Sequence, residues 1–403
     1  MAGHPPARRP RLLVLGAGPA QLGLLEAARA RGLHVIAADR DPQAIGFEHV
    51  DERAVISTDD EPALERLARA RDVDGVISPG ADWAVGVAAR IAERIGLPHP
   101  IDAATAGLAT SKARQRERFA EAGVPQPRVV SPGEEPPLPC VVKPVDQQGQ
   151  RGLSVVRERG ELEAAVAAAV EVSRGGGYLV EELVEGPEVT VNAVSVDGAF
   201  VPLAVTDRVT AEPPAYGVAV AHVWPSAGDT EATIEAARLA AAALGVRDGP
   251  TYTQIRLGPD GPRVMELAAR LGGGHDAELV ETATNVSLNG LALDFALGLP
   301  PDPALLSSNS VLLGVVVTGV CVVFLVAPPG ELRAVHGVGE ARAVEGVRWV
   351  RLYRRPGWRF GPLLRGADRA GAILAVGSSR EDALERARRA AQAVRFEVDE
   401  DTA

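Results

Sequence analysis

The sequence predicts an α/β fold, with a doubly wound parallel sheet at the N-terminus and α+β segments after it. Three observations carry the prediction. Short apolar runs alternate with helical patterns over residues 11–100. Glycine or acidic residues follow those runs, at the strand ends where ligands bind such sheets. From residue 140 onward the pattern turns strand-rich, interrupted by Ala-rich helices and Gly/Pro turns.

In the first unit, strands are expected at 12–16, 33–38 and 73–78, and helices at 20–31, 60–71 and 82–95. The first run, Leu12-Leu13-Val14-Leu15, leads into Gly16-Ala17-Gly18, and the second, Val35-Ile36-Ala37-Ala38, ends at Asp39. Two glycines before a helix permit a tight turn, close backbone approach to a phosphate and free N–H groups aimed at it. The third small position of a dinucleotide fingerprint is Gln21, however, where bulk keeps the helix off the strand. G-x-G alone is a weak signal. The third strand exits into Ser78-Pro79-Gly80-Ala81-Asp82.

Residues 111–123 read as a charged amphipathic helix closed by Gly123, and 131–139, S-P-G-E-E-P-P-L-P, as a loop. Ala-rich helices follow at 161–173 and 231–245. Residues 252–269 read as a strand pair turning at Pro259-Asp260-Gly261, and 276–298 as helical. The tail, 308–400, alternates short strands with turns and ends in a helix at 380–394.

A chain of 403 residues is expected to divide into two to four domains. Its net charge of −11, without a basic tract, argues against nucleic acid as a partner. Cys140 and Cys321 sit in apolar runs and read as small buried hydrophobes. Two cysteines build neither a disulfide framework nor a thiolate metal site. The N-terminal stretch M-A-G-H-P-P-A-R-R-P-R lacks a signal-peptide cleavage site and reads as a short disordered lead. Val311 to Ala327 carries no charge, and its length is at the short limit for a membrane helix. It is Val-rich, broken by Gly314, Thr318 and Gly319 and ended by Pro328-Pro329, which favours buried strands over a membrane span. A cytoplasmic location follows as the expectation.

Four separate stretches each read as part of a phosphate site. Lys143 ends the apolar run Cys140-Val141-Val142 and is fixed by Pro144, a costly place for a charge unless an anion meets it. Asp146-Gln147-Gln148-Gly149-Gln150-Arg151-Gly152 would make a flexible loop whose N–H groups close over phosphates. Tyr178 to Glu188 reads as a strand leaving into an acidic hinge. Arg263 to Asp276 sets Glu266 at a strand end, Arg270 four residues later and then Gly272-Gly273-Gly274, a metal–phosphate–substrate corner. Taken singly, each also fits a bland reading: a surface hairpin, a solvated acidic loop, a turn.

In this order and spacing the stretches resemble the ATP-grasp superfamily, and in particular its L-amino acid ligase-type members. The resemblance covers nearly the whole chain. It implies a pre-ATP-grasp domain at 1–108, the ATP-grasp fold at 109–300 and a C-terminal α+β ligase domain at 308–400. It further implies ATP and Mg²⁺ as cofactors, small-molecule carboxylate and amine substrates, and room for a homodimer. Lys112 matches the first nucleotide lysine and Lys143 the second. Residues 146–152, with Gln148, Gly149 and Gly152, match the phosphate flap. Glu181, Glu182, Leu183 and Val184 match the adenine hinge, with Met265 beside the nucleotide, and Glu188 matches the ribose carboxylate. Glu266 matches the principal Mg²⁺ ligand and Arg270 the arginine that steadies the transferred phosphate. Thr206-Asp207-Arg208 and His222-Val223-Trp224-Pro225 match a substrate-side strand and loop more loosely.

Two positions depart from the pattern. Gln254 stands where most members place an acidic Mg²⁺ ligand, and Ala268 where many have Asn. The implied reaction is ATP-dependent amide or peptide bond formation through an acyl phosphate, on an amino acid or small acid. The alternatives are a purine-pathway-type carboxylase and a nucleotide-binding pseudoenzyme. In such a fold the Gly16-Ala17-Gly18 loop faces the catalytic gap and does not bind NAD.

Overall fold

The computed structural model describes residues 8–399 apart from 132, 214, 216 and 302–316. The N-terminal unit is built from β1 (Arg11–Leu15), α1 (Leu22–Ala30), β2 (His34–Asp39), β3 (Glu52–Val55), α2 (Glu61–Ala70), β4 (Gly75–Ile77) and α3 (Asp82–Ile95). Its sheet runs β3-β2-β1-β4, with parallel pairing throughout. The sequence reading missed β3, whose residues Glu-Arg-Ala-Val alternate between half-buried and exposed. Charges on an edge strand hide the apolar signal that marks its buried neighbours.

The glycine loop after β1 is filled from within. A side-chain carbon on Gly16 would meet Gln21 Cδ at 3.0 Å, and one on Gly80 would meet Gln21 Nε2 at 3.3 Å. The Asp39 carboxylate accepts the N–H groups of Ala17 at 2.8 Å and Asp41 at 3.0 Å. The residue that would hold a ribose in a dinucleotide site is therefore committed to its own loop.

Two helices lead out of this unit, α4 (Ala103–Ala109) and α5 (Lys112–Glu121), capped by the Asp102 and Ser111 side chains. A small antiparallel sheet follows, made of β5 (Cys140–Pro144), β6 (Ser154–Val156) and β7 (Tyr178–Glu182) in the order β6-β5-β7, with α6 (Leu162–Val172) on one face. Cys140 and Val142 pack there on Ala165 and Ala169. This three-stranded lobe is a lid over the rest.

The body is one eight-stranded sheet. It takes β8 (Glu188–Val196), β9 (Ala199–Thr210), β10 (Ala219–Trp224), β11 (Gly249–Gly258) and β12 (Gly261–Ala268), covered by α7 (Thr230–Ala243), α8 (Asp276–Thr284) and α9 (Leu288–Ala296). The tail contributes β13 (Gly319–Leu325), β14 (Gly330–His336), α10 (Val338–Ala343), β15 (Val347–Leu352), β16 (Arg359–Phe360), β17 (Gly371–Gly377), α11 (Arg380–Ala393) and β18 (Arg395–Asp399). The large sheet runs β12-β11-β8-β9-β10-β13-β17-β15, so three tail strands extend the same sheet. A strand, β18, follows the helix expected to end the tail, and it pairs with β14. Of the apolar run Val311–Ala327, residues 311–316 lie outside the described ones, and 319–325 form the wholly buried strand β13. Among the described residues no helix is long and apolar enough to cross a membrane.

Candidate functional site

A cleft of about 810 Å³ lies between the lid and the sheet. Val141, Lys143 and Pro144 of β5 and Glu181 and Glu182 of β7 line it from the lid. Gln254 and Arg256 of β11 and Met265 and Glu266 of β12 line it from the sheet. Lys112, Gln148, Gly149, Leu183, Val184 and Glu188 also line it. The structure thus gathers nearly all of the sequence-derived candidates around one space. Two lie off it. Gly152, at φ +70°, backs onto α6, where a side-chain carbon would meet Val172 Cγ2 at 2.4 Å. Arg270 pairs with Asp82, at the start of α3, at 2.6 Å.

Each lysine of the cleft is held by a carboxylate. Lys112 Nζ lies 3.1 Å from Glu266 Oε2 and donates to the Gln147 carbonyl at 2.6 Å. Burial opposes the Lys112 charge, but Glu266 and Asp82 outweigh it and hold its pKa above the usual lysine value. Burial likewise works to raise Glu266, and Lys112 brings it down to about 2. Lys143 Nζ lies 2.7 Å from Glu181 Oε2, while Arg116 Nε takes Glu181 Oε1 at 2.7 Å. Burial pushes Lys143 down to about 8, against the pull of Glu181 and with the repulsion of Arg116. Burial works to raise Glu181, and its two cations bring it down to about 2. Glu181 is shared, so Lys143 is the undercompensated member of the group.

The floor owes its chemistry to strand register. Gln254 of β11 stands directly opposite Glu266 of β12, which puts both side chains on one face. The register shifts just after this pair, between Gln254 and Ile255, leaving Met265 without an opposite residue. Consecutive strand residues normally face opposite ways; this bulge lets both Met265 and Glu266 face the cleft. One step along, Arg256, Glu188 and Arg208 are neighbours across β11, β8 and β9. Glu188 accepts Arg208 Nη1 at 2.6 Å and Arg256 Nη2 at 3.4 Å. Tyr252 stands opposite Ala268, whose methyl side chain offers no oxygen to the floor.

Four buried polar atoms, on the sheet and at the start of α8, stand apart from the cleft lining. Asn192 Nδ2, Arg208 Nε, His222 Nδ1 and Asp276 Oδ1 lack a hydrogen-bond partner among the described residues. His222 Nδ1 is 3.5 Å from Asp276 Oδ1. Burial pushes His222 down to about 4, with Asp276 opposing. His275, just before α8, has partners on both ring nitrogens: it meets Glu278 at 2.9 Å and Tyr353 Oη at 2.6 Å. Sequence reasoning missed Arg116, which also donates to the Met265 carbonyl at 2.6 Å and so ties β12 to the lid strand β7 through Glu181. It missed Arg256 as well.

Glu266 and Gln254 together offer one carboxylate and one amide oxygen, a set that fits Mg²⁺ when phosphate oxygens complete the shell. Among the described residues no group of three or more His, Cys, Asp or Glu could hold a metal by itself.

Comparison with known proteins adds three family matches. An ATP-grasp N-terminal domain matches residues 25–99, an ATP-grasp domain 136–278, and an L-amino acid ligase C-terminal domain 323–399. A formate-dependent phosphoribosylglycinamide formyltransferase of Burkholderia lata is 30% identical, covering 96% of this chain and 95% of that protein. An uncharacterised protein of Sinorhizobium fredii is 28% identical over 93% of this chain and 80% of its own length. The L-amino acid ligase of Bacillus licheniformis superposes with a TM-score of 0.82 at 22% identity, over 98% of this chain and 100% of that one.

Proposed function

This chain belongs to the ATP-grasp superfamily of ATP-dependent carbon–nitrogen ligases, and on that premise we propose that it joins a small carboxylic acid, most simply an amino acid, to an amine. The reaction runs through an acyl phosphate and releases ADP and phosphate. The observation that carries the reading is the cleft itself: it is lined by two buried lysines, Lys112 paired with Glu266 on the floor and Lys143 paired with Glu181 on the lid, with Gln254 beside Glu266. Buried charges of both signs at this density suit a ligand that brings charges of both signs.

In this reading adenine lies against Met265 and the Glu181–Val184 hinge, and Glu188 holds the ribose hydroxyls. Lys112 and Lys143 take the phosphates. Glu266 and Gln254 hold Mg²⁺, which when bound supplies charge neutralisation at the β- and γ-phosphates. Residues 146–152 close over the phosphates and keep water from the acyl phosphate. Arg270 steadies the transferred phosphoryl group, so that catalysis is positioning and electrostatics. An amino acid is favoured by the match of residues 323–399 to an L-amino acid ligase C-terminal domain.

The test is ADP release from Mg·ATP against a panel of amino acids and small acids with amine acceptors, formate and bicarbonate included. Release with amide formation on an amino acid supports the reading. Release only with bicarbonate and a ribonucleotide amine selects the carboxylase, and release only with formate and a ribonucleotide amine selects the activity named for the formyltransferase relative. Nucleotide binding without release selects the pseudoenzyme.

A further inference from the structure

Asp82 opens α3 in the N-terminal unit, yet it touches two parts of the machinery described above. Its carboxylate Oδ1 accepts Arg270 Nε at 2.7 Å and Nη2 at 2.6 Å. Its backbone N–H is taken by the side-chain oxygen of Gln148, on the flap, at 2.7 Å. Arg270 Nη1 donates to the Leu271 carbonyl at 2.7 Å, so the guanidinium is fixed on two sides. A planar guanidinium held this way has a defined direction, which a lysine would lack.

The lid meets the same corner twice more. The Arg174 guanidinium, just after α6, lies 4.1 Å from the Trp83 ring centroid and pairs with Asp59 at 2.9 Å. The Arg174 N–H is held in turn by Asp146, at the base of the flap, at 2.9 Å. Asp82 and Trp83 are adjacent, so the first turn of α3 is the seat on which the lid closes. The first N–H groups of a helix have no partner within it; Gln148 meets the one on Asp82 from across the gap.

We propose that Asp82 is a positioning residue that aims Arg270, and that Gln148 fixes Asp82 only when the flap is shut. Flap closure and arginine placement are then one event, so the arginine is ready only when water is excluded. The inference rests on the ligase reading for the role of Arg270, but its structural half can be measured without a substrate.

Two measurements test it. In hydrogen exchange, a non-hydrolysable ATP analogue with Mg²⁺ should protect residues 146–152 and 78–86 together. In Gln148→Ala the flap should stay protected while protection at 78–86 falls by about tenfold. In turnover with the best acid and amine of the panel, Asp82→Asn should bind the analogue as tightly as wild type, keep its KM for ATP and keep its circular dichroism, while melting at a lower temperature because the buried Arg270 loses its counterion. Its kcat should fall by about a hundredfold, with Asp82→Glu recovering part of it. Wild-type protection at 78–86 in Gln148→Ala, or a wild-type kcat in Asp82→Asn, overturns the proposal. If no acid and amine pair turns over yet the two segments still gain protection together, the ligase reading fails and the coupling stands.

Discussion

Lys143 should take up a proton when nucleotide binds. Its side chain is 8% exposed, and burial holds its pKa near 8, well below that of a solvated lysine. At pH 8 about half of it is then neutral; at pH 7 about a tenth is, and at pH 9 about nine tenths. A phosphate in contact favours the charged form and returns the pKa to about 10 or above. Binding of Mg·ADP should therefore draw in about 0.1, 0.5 and 0.9 proton at pH 7, 8 and 9. The sign follows directly. The free protein loses the proton as pH rises through 8 while the complex keeps it, so affinity falls with pH, by about tenfold from pH 7 to pH 9. ADP itself is fully ionised over the upper half of this window. The assay is calorimetric titration in two buffers of unlike ionisation enthalpy at each pH, with Lys143→Met as control. Lys112, held charged by Glu266 and Asp82, should contribute nothing. An observed enthalpy independent of buffer at pH 8, with binding intact, refutes the proton uptake by Lys143 on nucleotide binding.

Other outcomes follow from the same geometry. Glu181→Gln leaves Arg116 and Lys143 buried face to face and should cost about 3–5 kcal/mol of stability, read as a lower denaturant midpoint; an unchanged midpoint would show that the triad relaxes at no cost. Glu266→Gln should lower ADP release by at least about a hundredfold with circular dichroism unchanged, and retained release would remove Glu266 from the metal. Gln254→Glu sets two carboxylates directly opposite across β11 and β12, which should cost about 0.5–1 kcal/mol without metal. The added charge should tighten Mg²⁺ by about fivefold, and identical Mg²⁺ dependence of ADP release in both proteins would place Gln254 away from the ion.

What the sequence made legible was local or carried by motif. Lys143 after three apolar residues and the Gly/Pro turns announce themselves within a few positions. Arg116 does not. In Lys-Ala-Arg-Gln-Arg-Glu-Arg nothing singles out the middle arginine, and only the approach of β7 makes it 4% exposed. The Glu188 row needs the register of three strands at once, and the bulge at Met265 breaks the very alternation by which strands are recognised. The joining of β10 to β13 links segments almost a hundred residues apart, with no local signal in either. β3 and α4 were missed for a plainer reason: a charged edge and a seven-residue Ala-rich turn carry little periodic pattern.

The pairing of cations with carboxylates explains how so charged a cleft persists before any nucleotide arrives. A lysine or glutamate buried alone would give up its charge. Lys112 and Glu266 hold each other ionised across 3.1 Å, and Arg116 holds Glu181 in the same way. In the ligase reading a nucleotide with its metal does not create charges here; it exchanges partners. Phosphate oxygens would replace Glu266 at Lys112, and the freed Glu266 carboxylate would be one of the groups that hold the metal. Ala268 adds no oxygen to that metal, so the released carboxylate and the Gln254 amide are what the floor can offer, and the nucleotide must supply the rest. Such an exchange needs no proton movement where both partners are already ionised, which keeps reorganisation small at the moment of reaction. Lys143 is the exception because its carboxylate is shared with Arg116, and so the proton owed on binding falls to the one lysine that β5 carries into the cleft.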